Sequence, residues 1–334
     1  MDRCSKITIP VMVATFFSLL WSCRPEKGLP TVETCGIRDK VEKTSVISID
    51  DNLPPMHSTV SMFVKGDTLI INDYRSQEQQ FHAYDITEDR YLGSFGKYGN
   101  GPGEMANIGG VYLDDSGRLF CRNSNHMILQ SVDIDSALNN PDYKASKETR
   151  LDLSERIVIF ITPTFINDTT VLCSLYCSGK WGYTTHLGHF NPKSGEAVQI
   201  DTITSGGVGR SGIAVDKKRG IAVETGMTHD RIRIFDLDGN LRKTVLGPSF
   251  KEEHDGRTYY FSSPLIAGDN VLANYNGEKD GYGKDIVIMD IDGRYVKTLR
   301  FDAKIMSMAY HPKSKRLYMC TDGDTQFGYI KLDL

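Results

Sequence analysis

Gly96-Lys97-Tyr98-Gly99-Asn100-Gly101-Pro102-Gly103-Glu104 is the stretch whose reading decides the fold. A glycine run of this kind cradles phosphate only where a strand leads into it and a helix N-terminus follows. Here β-prone sequence lies on both sides, so the run reads as a turn between two β units, with Pro102-Gly103 suited to a type II turn. Gly109 to Leu113 follows as a short strand, Asp114-Asp115-Ser116-Gly117 as a tight turn, and Arg118 to Arg122 and Met127 to Asp133 as two more strands.

Working outward, the same unit recurs about every 50 residues. Its clearest copies are Ile232-Arg233-Ile234-Phe235-Asp236-Leu237-Asp238-Gly239 and Ile286-Val287-Ile288-Met289-Asp290-Ile291-Asp292-Gly293. Both place Asp-x-Asp-Gly between alternating strands, where Asp-Gly favours a tight hairpin turn. The ligand spacing and closing Glu of an EF-hand are missing, so these turns are structural and not calcium loops. Earlier units run through Val60–Phe95, Gly109–Leu153 and Ile157–Ile200. The last unit has only three strands, Ile305–Tyr310, Arg316–Thr321 and Phe327–Leu332, and the β-prone run Thr44–Ile49 supplies the fourth. Such closure removes two open sheet edges. The expectation is an all-β, six-bladed β-propeller over 44–334, closed by an N-terminal strand in the last blade.

Gly96 to Asp135 resembles an NHL-type repeat, and the chain from Thr44 onward is similar to the TolB-like six-bladed propeller lipoproteins of Gram-negative anaerobes, with Gly96–Glu104 as the most specific shared motif. The resemblance implies a fold and an envelope location, and no activity.

The first residues differ from the rest. Arg3 and Lys6 precede an uncharged apolar run, Ile7–Trp21, that is shorter than a membrane span needs. It ends in Leu20-Trp21-Ser22-Cys23, which resembles a lipobox, so 1–22 reads as a lipoprotein signal peptide with Cys23 acylated. Residues 23–43 carry Pro25, Gly28, Pro30 and mixed charges and read as a tether. On that reading, removal of Arg24 to Glu42 leaves the fold untouched. No acidic run follows Cys23, which favours the periplasmic side over the cell surface. The expected membrane contact is this lipid anchor alone.

A net charge of −4 with 25% charged residues gives no basic field for nucleic acid. Cys35, Cys121, Cys173, Cys177 and Cys320 remain after processing, an odd number that excludes a complete disulfide framework. Cys173 and Cys177 pair only if the chain turns between them; buried thiols are the simpler reading.

Candidate chemistry concentrates in loops at one end. Turns after each unit's second strand and between units carry Asp73, Tyr74, Arg75, Arg122, Trp181, Tyr183, His229, Tyr275 and Asp322, residue types that dominate recognition on scaffold-held loops. His229 reads as a solvated loop histidine. His186 and His189 lie three apart in a strand and point to opposite faces, which argues against shared metal ligation. Six-bladed propellers also host metal-dependent hydrolases that arrange Glu, Asn and Asp around the axis, for which Glu224, Asn274 and Asp322 are the candidates. No cofactor is expected beyond a divalent metal on the axis in that case. The first functional reading is a binding or scaffolding propeller for an unknown protein or small-molecule ligand. The alternatives are a metal-dependent hydrolase or lyase, and an accessory subunit of an envelope nutrient-uptake system.

Overall fold

The computed structural model describes residues 31–334 except 38, 59, 115, 124–127, 151–160, 180–181, 201–210, 253–256, 263 and 280. The segment read as a signal peptide, 1–22, and Cys23 lie outside the described residues, as does Trp181.

Period-two alternation explains how the sheets stack. In Arg231–Asp236, Ile232 and Ile234 point to one side and join Val223, Val245, Val271, Val287 and Met289 in a buried cluster. Phe235 points to the other and packs with Ala222, Ile213, Leu172 and Leu187. Each sheet is therefore apolar on both faces and must be covered twice, which a ring of sheets achieves.

Six sheets form the expected propeller. Blade 1 comprises Ser61–Lys65, Thr68–Asn72, Gln79–Asp85 and Arg90–Lys97. Blade 2 comprises Ile108–Leu113, Leu119–Asn123, Ile128–Val132 and Ser146–Arg150, and blade 3 Ile161–Asn167, Thr170–Gly179, Gly182–Phe190 and Ala197–Gln199. Blade 4 comprises Ser211–Asp216, Ile221–Gly226, Arg231–Asp236 and Leu241–Leu246. In blade 5, Tyr259–Phe261 and Leu265–Ala267 share the innermost place beside Asn270–Glu278, followed by Asp285–Asp290 and Tyr295–Arg300. Blade 6 comprises Ile305–His311, Arg316–Thr321 and Phe327–Lys331, completed by Ile47–Ser48 in register Gly328 to Ser48 and Tyr329 to Ile47. The ring closes where the sequence places it.

The N-terminal segment departs from expectation. Thr31–Thr34 adds a parallel fifth strand to blade 4, and Val41–Lys43 does the same for blade 5. Between them Cys35 and Ile37 bury in the cluster shared by those blades. Val46 packs on the next inter-blade cluster and Ile49 lies within the one after it. Residues 31–49 are thus a belt across the rims of three blades, and the tether expected over 23–43 is incorrect for 31–43. Apolar anchoring and edge hydrogen bonds, Cys35 N–H to Leu246 O at 2.8 Å and Thr298 N–H to Lys40 O at 2.8 Å, are the physical reason. A second unforeseen element is the short helix Ile134–Asn139, capped by the Asp133 carboxylate on the Ser136 N–H and packed with Leu138 over Gly93 of blade 1.

Gly96–Glu104 is the inter-blade turn expected of it. Gly103 has φ +78°, and a Cβ there would stand 2.4 Å from that of Lys144. Glu104 closes the turn by accepting the Gly101 N–H at 2.8 Å and pairing with Lys97 at 2.7 Å.

Candidate functional site: the channel and its mouth

The strand order gives the ring two unlike ends. Turns joining first to second and third to fourth strands lie at one end, here called the hairpin end. Loops joining second to third strands, and the inter-blade turns, lie at the other, the mouth end. Among the described residues, the loop candidates read from the sequence belong to the mouth end.

The innermost strands enclose an axial channel of about 670 Å³. Phe63, Ile108, Leu265, Met306, Met308 and Tyr310 line its length, and Asn72, Tyr74, Met227, Ser262 and Tyr282 line it towards the mouth. Among the described residues no lining side chain carries a charge. Tyr74 is exposed at 38%. Burial, then the nearby Tyr74 and Cys320, push the Tyr282 phenol up, while Arg75 opposes them. Tyr74 of blade 1 and Tyr282 of blade 5 thus line the same mouth, with Arg75 near enough to act on the Tyr282 phenol.

The remaining candidates do other work. Asp73 is only 2% exposed and accepts from the His57 N–H at 3.1 Å, His57 Nδ1 at 2.9 Å and the Arg75 N–H at 3.2 Å, which fixes the loop that presents Tyr74 and Arg75. His229 is buried, not solvated, because the loop from Gly226 turns so tightly that a Cβ there would meet the His229 carbonyl at 2.5 Å. Tyr275 is buried against Phe261 with centroids 5.0 Å apart, and its hydroxyl donates to Asp230 at 3.3 Å, tying blade 5 to a blade 4 loop. Arg122 is half-buried, its pKa lowered by burial, in space that Gly109 leaves open. Asp322 is exposed and accepts the Lys304 N–H at 2.7 Å. Tyr183 lies in the third strand's start in blade 3.

Of the candidate axial metal set Glu224, Asn274 and Asp322, the first two are engaged in other contacts. Glu224 is buried in an ion pair with Arg233; burial raises its pKa, and the Arg233 charge and hydrogen bond outweigh this and hold it below the usual range. Asn274 clamps its loop through Nδ2 to Gly283 O at 2.8 Å and Asp285 O at 3.2 Å, with the Gly283 N–H returning to Oδ1 at 3.1 Å. Among the described residues no three His, Cys, Asp or Glu side chains group to hold a metal. His189 Nε2 meets the Leu237 carbonyl at 3.0 Å, away from His186. Cys35, Cys121, Cys173 and Cys320 are buried free thiols, and burial pushes Cys121 up to about 12.

Sequence reasoning missed His57, Tyr282 and the channel methionines. His57 had no motif to mark it. Met306 and Met308 were readable only as apolar positions of an inner strand.

Residues 38–186 match the model of the TolB-like 6-blade propeller-like family. The fold is similar to a calcium-binding regucalcin from Agrobacterium tumefaciens, with TM-score 0.55 and 11% identity over 87% of this chain and 94% of that one. It is also similar to a DUF4221 family member from Bacteroides vulgatus, with TM-score 0.61 and 10% identity over 85% and 95% of the two chains. A gluconolactonase from Xanthomonas campestris gives TM-score 0.52 and 11% identity over 82% and 87%. At these identities the likeness concerns the fold. No curated protein matches the chain.

Proposed function

We propose that this chain, a TolB-like six-bladed propeller, is a lipid-anchored binding protein of the cell envelope that takes its ligand at the channel mouth. The observation that carries the reading is the meeting of Tyr74, Arg75 and Tyr282 from opposite parts of the chain over a channel of about 670 Å³, a size and lining suited to a small molecule.

The belt supports an orientation for the anchored protein. Thr31–Thr34 runs parallel to Leu241–Leu246, which leaves the hairpin end, so the chain reaches blade 4 from that end. Cys23 precedes Thr31 by eight residues, a reach of at most roughly 29 Å. A lipid there holds the hairpin end towards the periplasmic leaflet and leaves the mouth open to the periplasm.

Metal-dependent hydrolysis, the second reading, draws on the fold shared with regucalcin and gluconolactonase. The engagement of Glu224 and Asn274 in structural contacts weighs against it. Native mass spectrometry of protein isolated from envelope membranes tests the two together. A small-molecule adduct in the wild type that is lost in Tyr74→Ala/Tyr282→Ala supports the binding reading. Divalent-metal-dependent turnover of lactones, abolished by Glu224→Gln, supports the hydrolase instead. Cys23→Ala moves the protein to the soluble fraction if the anchor is as proposed; retention in the membrane contradicts it.

A further inference from the structure

We infer that the ligand of this channel is an uncharged, largely apolar small molecule bearing an O–H or N–H group. The inference rests on the channel-mouth reading above and names the class of ligand for that site.

Three features of the wall select this class. First, none of the described lining residues is charged. An ion entering the channel sheds water without gaining a counter-charge, so charged ligands are penalised and neutral ones are not. Second, Met227, Met306 and Met308 are only partly buried although they sit near the axis of the molecule. Their polarizable thioethers, with the rings of Tyr74 and Tyr282 at the rim, form an adaptable apolar surface on which aromatic or alicyclic bodies pack well. Third, Asn72 stands in the wall at 1% exposure, and its side-chain oxygen has no hydrogen-bond partner. This oxygen is closed off from the channel, and a turn of the amide that presents it to a ligand hydroxyl or N–H relieves the cost of an unmet buried acceptor. Arg75 lies outside the lining, at the exposed rim, so an anionic ligand is served only at the entrance.

A matched set of fluorescent probes tests each part, using the full mature chain carrying Cys23→Ala so that no membrane competes for the probe. N-phenyl-1-naphthylamine is neutral and apolar with one N–H. 1-Anilinonaphthalene-8-sulfonate keeps the ring skeleton and adds a negative charge. N-methyl-N-phenyl-1-naphthylamine keeps neutrality and removes the donor. We expect saturable one-to-one binding of the first, with the sulfonate at least about tenfold weaker, since tenfold corresponds to a modest desolvation difference. The N-methyl probe should bind about fivefold more weakly than the N–H probe, and Asn72→Leu should erase that gap by weakening the N–H probe alone. Should Asn72→Leu not fold, the comparison of the two neutral probes on the wild type decides the donor question. Equal or tighter sulfonate binding overturns the inferred neutrality while leaving the channel as the site. Equal binding of the two neutral probes overturns the donor. Absence of saturable binding by all three, or binding unaffected by Tyr74→Ala/Tyr282→Ala, overturns the channel-mouth reading itself.

Discussion

The two ends of the propeller satisfy their polar groups differently. At the hairpin end the turns led by Asp114, Asp236 and Asp290 close on themselves, while those at Asp67 and Arg219 also reach a neighbouring blade. Asp236 accepts from the Asp238 and Asn240 N–H groups, Asp290 from those of Asp292 and Arg294, and Asp114 from that of Arg118. At the mouth end more of the bonds run between separate loops or blades. His57 holds Asp73, Tyr275 reaches Asp230, Asn274 clamps Gly283, and Gln326 donates through Nε2 to Met56 O at 3.1 Å and His57 O at 3.0 Å. Local closure yields near-identical turns. Closure through remote partners lets each loop differ, and a binding site is made from such differences.

The comparison can be broken first at the belt, where the largest effect is expected. Deleting 24–51 removes Ile47–Ser48 and also Asp50, which accepts the Gln326 and Phe327 N–H groups at the mouth. The domain should lose cooperative folding, seen as loss of a sharp thermal transition. Deleting 24–43 should destabilise it less but clearly, because Ile37 is fully buried and removal of such a side chain alone costs about 2–5 kcal/mol. Deleting 24–30 should be neutral. Equal denaturation midpoints for the last two would show that the belt contributes nothing.

Next comes Arg233→Ala, which strands the Glu224 carboxylate between blades 3 and 4 and should cost about 3–5 kcal/mol by urea titration. The pair also sets a pH dependence. With the folded Glu224 pKa below its unfolded value, its stabilisation is complete above the ordinary glutamate range. It is lost as pH falls through the lowered folded value. A wild type no more acid-sensitive than Glu224→Gln would contradict this.

Smaller effects sharpen the contrast between ends. Tyr275→Phe removes the cross-blade bond to Asp230 and should cost about 1 kcal/mol while leaving the ring in place. Asp290→Ala removes two bonds within one exposed hairpin and should cost about 1 kcal/mol or less, with no change in ligand binding. A perturbation of binding by Asp290→Ala equal to that of a mouth variant would erase the distinction.

This contrast also explains what was legible in advance. Asp-x-Asp-Gly hairpins, the Gly96–Glu104 turn and the closing strand near Ile47 depend on neighbours in sequence or on period-two patterning, and they were read correctly. Thr31–Thr34 and Val41–Lys43 were not, because each is shorter than a turn-to-turn strand pattern and its partner strand lies more than 200 residues away. The helix Ile134–Asn139 is too short to show a period of its own. At the mouth, Tyr74 could be singled out by residue type, but its neighbour Tyr282 lies far along the chain, and nothing in the sequence joins the two. The burial of His229 and Tyr275 follows from packing between blades, which loop composition does not report.

The most direct measurement titrates N-phenyl-1-naphthylamine into two paired variants, Tyr74→Ala/Tyr282→Ala at the mouth and Asp236→Ala/Asp290→Ala at the hairpin end. Both are first matched for native circular dichroism. The mouth pair should lose at least about tenfold in affinity, as expected when two aromatic contacts are removed, and the hairpin pair should bind like the wild type. Unchanged affinity in the mouth pair, or loss confined to the hairpin pair, would contradict the assignment of the binding site to the channel mouth.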